Sequence, residues 1–191
     1  MVDCLVPETR HGARNGQAPK ERHVRARVRN MPLTDILTSD AIVPSLKVSG
    51  KKQALQEIAA RAAQITGLDE REIYETLLQR ERLGSTGIGD GIAIPHGKPA
   101  RIDRLFGLFA RLERPIDFES IDGQPVDIVF LLLAPESAGA DHLKALARVA
   151  RVLREPGNLD RLRSARDAAA IYSILAHEEP RTESDDDTEA D

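Results

Sequence analysis

His96 stands between Pro95 and Gly97 near the end of GSTGIGDGIAIPHGK, residues 84–98, a run whose glycines at 84, 87, 89 and 91 exclude a stable helix. Proline fixes its own φ, and glycine allows a turn that a Cβ would resist, so an imidazole at this corner is exposed yet aimed. A neutral imidazole, with an ordinary pKa near about 6.5, is a nucleophile at neutral pH. Attack on a phosphoryl donor gives a phosphohistidine, which can pass its group to another acceptor. The transferred dianion must be met by donors. Glycine N–H groups approach oxygens closely, the hydroxyls of Ser85 and Thr86 add to them, and Arg80 offers a planar guanidinium. His142 follows Asp141 at the expected start of a helix. The positive helix end disfavours imidazolium there, leaving a neutral ring that could steady the phosphoryl group or serve merely as a surface or capping residue. His11, His23 and His177 lie in or beside polar ends and have no such context.

Other phosphate and metal chemistries fit poorly. A P-loop needs G-x-x-x-x-G-K-[ST], whereas five residues separate Gly91 from Gly97 and Pro99 follows Lys98. The spacing of Gly87, Gly89 and Gly91 also breaks the dinucleotide pattern G-x-G-x-x-G. No histidine has a second at metal-ligand spacing, so neither a metal nor a cofactor is expected. From the residues alone, a phosphoryl-accepting corner competes with a flexible glycine turn beside a satisfied surface histidine.

The elements that must position these groups read as an alternation of helices and apolar strands. Residues 41–48, with Pro44, suit an edge strand. KKQALQEIAARAAQIT follows, with Leu55, Ile58, Ala59, Ala62 and Ile65 at helical spacing and Gly67 as its stop. Asp69 three before Glu72 starts a second helix in the manner of a capping box, with Ile73, Leu77 and Leu78 inward and Arg80 and Arg82 near its end. Residues 84–98 read as a loop with a short strand at Ile92–Ile94, and residues 105–112 and 126–133 as strands covered on both faces. Asp141 is expected to cap a helix with an apolar stripe of Leu143, Leu146, Ala150 and Leu153. Helices at about 158–165 and 167–176, the latter capped by Asp167, finish the chain. Such an order predicts an α/β or α+β layered fold with a sheet flanked by helices.

The chain of 191 residues suits one domain with tails, and 41% hydrophobic residues suffice for an ordinary core. A single cysteine, Cys4, forbids an internal disulfide and fits a reducing compartment. No run reaches the length of a membrane span, and residues 1–30 lack the apolar stretch of a secretory signal, so a cytoplasmic location is expected. The net charge of −4 is unevenly spread. Residues 1–30 are basic and residues 178–191 acidic; both read as disordered extensions of a domain over 31–177, and Met31 could be an alternative start. The basic arm lacks interleaved aromatics, and nucleic-acid binding is not expected.

The run RERLGSTGIGDGIAIPHGK resembles the active-site signature of enzyme IIA domains of the bacterial phosphoenolpyruvate phosphotransferase system, fructose/mannitol class, and is closest to the nitrogen-regulatory branch. RPIDFESIDGQPVDIVFLLLAP and DHLKALARVARVL extend the resemblance over about residues 31–176. It implies a mixed β-sheet flanked by helices, a phosphoacceptor at His96 using Nε2, a phosphoryl-contacting arginine at Arg80, a second active-site histidine at His142, and loop hydroxyls at Ser85 and Thr86. It also implies a histidine-containing phosphocarrier protein as donor, charged by enzyme I from phosphoenolpyruvate. Regulatory target proteins, such as transporters or sensor kinases, would then read the phosphorylation state. Two alternatives remain: a sugar-transport member that hands phosphate to a separate IIB component, and an interaction module that has lost transfer. Asp90 departs from the asparagine usual in that branch. A carboxylate near a phosphohistidine would repel it, so Asp90 must point away or the transfer equilibrium must change.

Overall fold

The computed structural model describes residues 32–176. The basic arm, the acidic end, Cys4, His11, His23 and His177 lie outside the described residues. A 3-10 turn at Leu33–Asp35 leads into β1 (Leu37–Leu46), α1 (Lys51–Thr66) and α2 (Glu70–Arg82). Three short strands follow, β2 (Gly87–Gly89), β3 (Ile92–Ala93) and β4 (His96–Gly97), and then the long strands β5 (Phe106–Ile116) and β6 (Val126–Leu133). A 3-10 turn at Glu136–Ala138 precedes α3 (Ala140–Leu153), α4 (Asn158–Ser164) and α5 (Ala168–Ala176).

The sheet is mixed, in the order β1-β5-β6-β3-β2, with β4 also paired to β6. β1 runs parallel to β5, β5 antiparallel to β6, and both β3 and β4 parallel to β6. Consecutive residues Ile128–Leu133 of β6 are all buried, as a strand covered on both faces requires. Phe109, Phe118 and Phe130 are among the largest fully buried side chains, so this middle of the sheet is the core. α1 packs on β1 and β5, α2 on α1 and β4, and α5 on β1. Among the described residues no helix is long and apolar enough to cross a membrane.

Helix ends follow local chemistry. Gly67, at φ 73°, closes α1 in the left-handed conformation and donates its N–H to Ala63. Asp69 accepts the Glu72 N–H at 2.9 Å, but Glu72 does not reach back to complete a capping box. Its carboxylate instead accepts the Ala100 N–H at 2.7 Å, tying the start of α2 to the segment after β4. Asp167 accepts from the Ala170 N–H at 2.8 Å, a cap on α5.

Three expectations are corrected. The first strand runs over Leu37–Leu46 and not 41–48, because the exposed Thr38, Ser39 and Asp40, whose polarity gives no inward stripe, continue the edge strand from the buried Leu37. The loop of residues 84–98 holds, besides the expected strand at β3, two more short strands, β2 and β4. Finally, Asp141 does not cap α3: Gly139, at φ 48°, takes the N-cap position, and Asp141 lies inside the first turn, 3.1 Å from Lys144 Nζ. The buried face of α3 is His142, Ala145, Val149, Val152 and Leu153, whereas Leu143 is 68% exposed and Leu146 and Ala150 are half-buried. Both stripes obey helical spacing and differ by a rotation of about one residue, so periodicity alone could not choose between them.

The contact of α2 with β4 depends on Gly97. A Cβ built there would lie 2.5 Å from Thr76 Cγ2. Thr76 is stiff, being β-branched, and its hydroxyl donates to the Glu72 carbonyl at 2.7 Å, so it has little room to yield. Gly97→Ala should therefore destabilise the fold by about 1–3 kcal/mol, read as a lower urea midpoint at unchanged m-value.

Candidate functional site

The site begins with a break in the sheet. β3 pairs with Ile128 and Val129, and β4 pairs with Leu132 and Leu133; between them Ile94 and Pro95 have no paired residue on β6, although the Pro95 carbonyl still accepts the Leu132 N–H at 3.0 Å. The Ile94 N–H turns to the Thr86 carbonyl at 2.9 Å, and Pro95 has no N–H to place. The Ile94 carbonyl faces the imidazole of His96, 2.8 Å from Nδ1. On the other side of that ring, Arg80 from the last turn of α2 donates Nε–H to His96 Nε2 at 2.9 Å and Nη1–H to the Gly84 carbonyl at 3.0 Å.

These two contacts determine the tautomer. A carbonyl only accepts and a guanidinium only donates, so Nδ1 carries the proton and Nε2 presents its lone pair. Burial holds the His96 pKa below the usual 6.5; the bond to Ile94 opposes this, the charge of Arg80 adds to it, and the charge of Glu81 opposes it. The ring is therefore neutral and nucleophilic at neutral pH.

His142, in the first turn of α3, is buried beside it, the ring centroids 5.5 Å apart and the planes inclined at 66° in an edge-on contact. Its Nε2 is buried without a hydrogen-bond partner among the described residues, an arrangement that calls for a ligand atom. Burial, followed by the charges of His96 and Lys98, lowers its pKa to about 4. Because the unfolded chain protonates this histidine near the ordinary 6.5 and the folded chain only near about 4, acid favours unfolding within that window. Stability should be full above pH 6.5 and decline as the pH falls towards 4. Urea unfolding across this range should show the decline, and His142→Gln should make it shallower.

Arg80, His96 and His142 thus come together, whereas the two hydroxyls serve other partners. Ser85 Oγ donates to the Phe118 carbonyl at 2.7 Å and accepts from the Gly87 N–H. Thr86 is buried, and its hydroxyl donates to Glu81 Oε2 at 2.6 Å. Neither retains a hydroxyl proton for a phosphoryl oxygen in this arrangement.

Asp90 and Gly91, at φ 58° and 77°, are the two residues between β2 and β3, with the positive φ at both positions that a type I′ hairpin turn requires. The Asp90 carboxylate lies 3.6 Å from Arg154 Nε, and its N–H donates to Asp122 at 2.9 Å. Arg154 also donates to the Ile88 carbonyl, and Arg163 to the Asp90 carbonyl. Asp90 is thus turned towards the Arg154 guanidinium, which offsets its charge. Sequence reasoning missed this hairpin, although Asp-Gly between apolar residues is its signal. It also missed Glu81, a charged residue near a helix end that reads as solvated, and the Ile94 carbonyl, a backbone group with no signature of its own.

Residues 35–178 match the family described as phosphoenolpyruvate-dependent sugar phosphotransferase system, EIIA 2. The nitrogen regulatory protein of Bradyrhizobium diazoefficiens is 66% identical over 146 residues, 76% of this chain and 95% of that protein. The crystal structure of nitrogen regulatory protein IIA-Ntr from Neisseria meningitidis superposes with a TM-score of 0.71 at 34% identity, covering 75% of this chain and 98% of that one. IIA mannitol from Escherichia coli, at 18% identity and a TM-score of 0.64 over 73% of this chain and 98% of its own, shares the fold.

Proposed function

The chain belongs to the EIIA 2 family of the phosphoenolpyruvate-dependent sugar phosphotransferase system, and from that premise we propose that it carries a phosphoryl group on His96 and signals through it. The observation that supports this best is the opposed pair of contacts on one ring, Ile94 O at Nδ1 and Arg80 Nε at Nε2, which leaves Nε2 as the nucleophile. In the step inferred, Nε2 attacks the phosphorus of a phosphohistidine on a histidine-containing phosphocarrier protein. The new N–P bond forms as the donor's N–P bond breaks, and the electron pair of the broken bond returns to the donor's ring nitrogen. The Nδ1 proton stays on His96, held by Ile94, so no separate base is required.

Arg80 changes partner in this step. Its Nε–H, which now covers the lone pair, moves to a phosphoryl oxygen and stabilises the charge that arrives. His142 supplies the second donor: its Nε2, unpartnered at present, takes a phosphoryl oxygen and so satisfies a buried polar atom. Ser85 and Thr86 hold the glycine loop in place through Phe118 and Glu81, and the Gly87 N–H is spent on Ser85 Oγ. The exposed Leu83 and Leu143 follow Arg80 and His142 closely in sequence and give a partner protein apolar surface to meet.

The regulatory reading rather than sugar transport is supported by the nitrogen regulatory proteins among the relatives. Roughly two added negative charges at this surface would alter affinity for partner proteins by repulsion or by a new arginine contact. Incubation with labelled phosphoenolpyruvate, enzyme I and the small carrier should place one acid-labile phosphoryl group on each chain. No label would favour the interaction module, and rapid onward transfer to a IIB domain would favour sugar transport.

A further inference from the structure

Glu81 is a buried carboxylate that the phosphoryl-transfer step does not use. Its side chain is 5% exposed and lies 2.8 Å from Lys51 Nζ at the start of α1. Lys51 also contacts the exposed Glu119 at 2.7 Å and sits over the Phe118 ring. Burying a charge is costly unless it is paired and hydrogen-bonded, and Glu81 is both. It accepts the Thr86 N–H at 3.0 Å and the Thr86 hydroxyl at 2.6 Å.

From Thr86 the bonds continue. The Thr86 carbonyl accepts the Ile94 N–H at 2.9 Å, and the Ile94 carbonyl accepts His96 Nδ1–H at 2.8 Å. His96 Nε2 accepts Arg80 Nε–H at 2.9 Å. Arg80 is the covalent neighbour of Glu81, so the path closes on itself: Glu81, Thr86, Ile94, His96, Arg80 and back through one peptide bond. Each link but the last is a hydrogen bond with a single possible direction. Moving Thr86 therefore moves the Ile94 carbonyl, and with it the acceptor that keeps the proton on Nδ1.

We infer that Glu81 is a positioning residue for phosphoryl acceptance, acting through Thr86 and Ile94 to hold His96 with Nε2 unprotonated and its lone pair on Arg80. The inference rests on the phosphocarrier reading for its consequence in transfer but not for its consequence in the resting chain. Lys51 neutralises the carboxylate so that it can be buried there. The hydroxyl of Thr86 is an internal tie, which accounts for its being turned from the phosphoryl position.

The test uses the full chain with 15N in its imidazole rings, as wild type, Glu81→Ala, Thr86→Val and Thr86→Ser. Nitrogen shifts of His96 in the unphosphorylated chain should show a single Nδ1–H tautomer in wild type and Thr86→Ser, and a mixture with Nε2–H in Glu81→Ala and Thr86→Val. In the reconstituted relay, Glu81→Ala should lower kcat about 10- to 100-fold, as misplacement of reacting groups does, with KM for the donor protein changed less than about twofold. Thr86→Val should follow in the same direction with a smaller loss, and Thr86→Ser should recover it. An unmixed tautomer together with an unchanged kcat in a folded Glu81→Ala chain would overturn the inference. Should that variant not fold, the same two results in Thr86→Val would overturn it. The tautomer measurement needs no phosphoryl donor, so a wild type that accepted no phosphate would refute the phosphocarrier reading separately.

Discussion

His96→Gln is expected to leave the chain with no acid-labile phosphoryl group after incubation with phosphoenolpyruvate, enzyme I and the small carrier. A carboxamide can still lie between the Ile94 carbonyl and Arg80, so the surroundings need not collapse. What it lacks is a nucleophilic nitrogen, because the amide nitrogen's electron pair is delocalised into its carbonyl. His142 is not a substitute acceptor. Its ring is buried and meets His96 edge-on at 5.5 Å between centroids, and its Nε2 has no guanidinium partner among the described residues. Scintillation counting of the gel-resolved protein reads the result directly. The variant should keep a single cooperative urea transition, because the carboxamide can still meet the Ile94 carbonyl and the Arg80 Nε–H.

Arg80→Ala should lower the rate of phosphoryl acceptance by about 10²- to 10³-fold, the usual cost of removing a donor that meets developing charge. Two effects combine. The variant loses the guanidinium proposed to receive the phosphoryl oxygens, and it loses the Nε–H contact to His96 Nε2. It also loses the Nη1 bond to Gly84, which ties the end of α2 to the glycine loop. Arg80→Lys should recover only a small part, because an ammonium is a point charge and cannot serve Nε2 and the Gly84 carbonyl at once. Single-turnover quench-flow with pre-phosphorylated carrier separates this loss from any change in docking. KM for the carrier should move little, since the guanidinium acts on the group in transit.

Much of the architecture was legible from the chain because its signals are long. Residues 126–133 are apolar but for Asp127 and lie between Gln124-Pro125 and Ala134-Pro135, and β6 spans them. α1 and its Gly67 stop were equally plain, since sixteen residues give helical periodicity room to repeat. Elements of two or three residues carry no periodicity. The strand at Ile92–Ala93 was expected from its apolar run, but β2 and β4 exist because β3 and β6 offer them ladders, a tertiary cause that a local reading cannot contain. The phase of α3 was lost for a related reason: leucines outweigh alanine and valine in any count of apolarity, yet Ala145 and Val149 face inward while Leu143 faces out.

At the site, residue chemistry brought His96 and Arg80 forward and left His142 open between a phosphoryl contact and a capping residue. The resemblance to enzyme IIA domains implied roles for all three, and the fold places Arg80 and His142 beside the His96 imidazole. The residue chemistry could suggest that Ser85 and Thr86 were free donors, but not that Phe118 and Glu81 had already taken their protons. Glu81 shows the limit most clearly. Charge near a helix end reads as solvated, and only the approach of Lys51 from α1 makes its burial tolerable.

The account turns on Nε2 of His96 being the atom that takes the phosphoryl group. Phosphorus-coupled nitrogen spectra of the phosphorylated chain, with 15N in its histidine rings, test this most directly. The coupling should appear on Nε2 of His96 while Nδ1 retains its proton. Coupling on Nδ1, or on the ring of any other histidine, would contradict it.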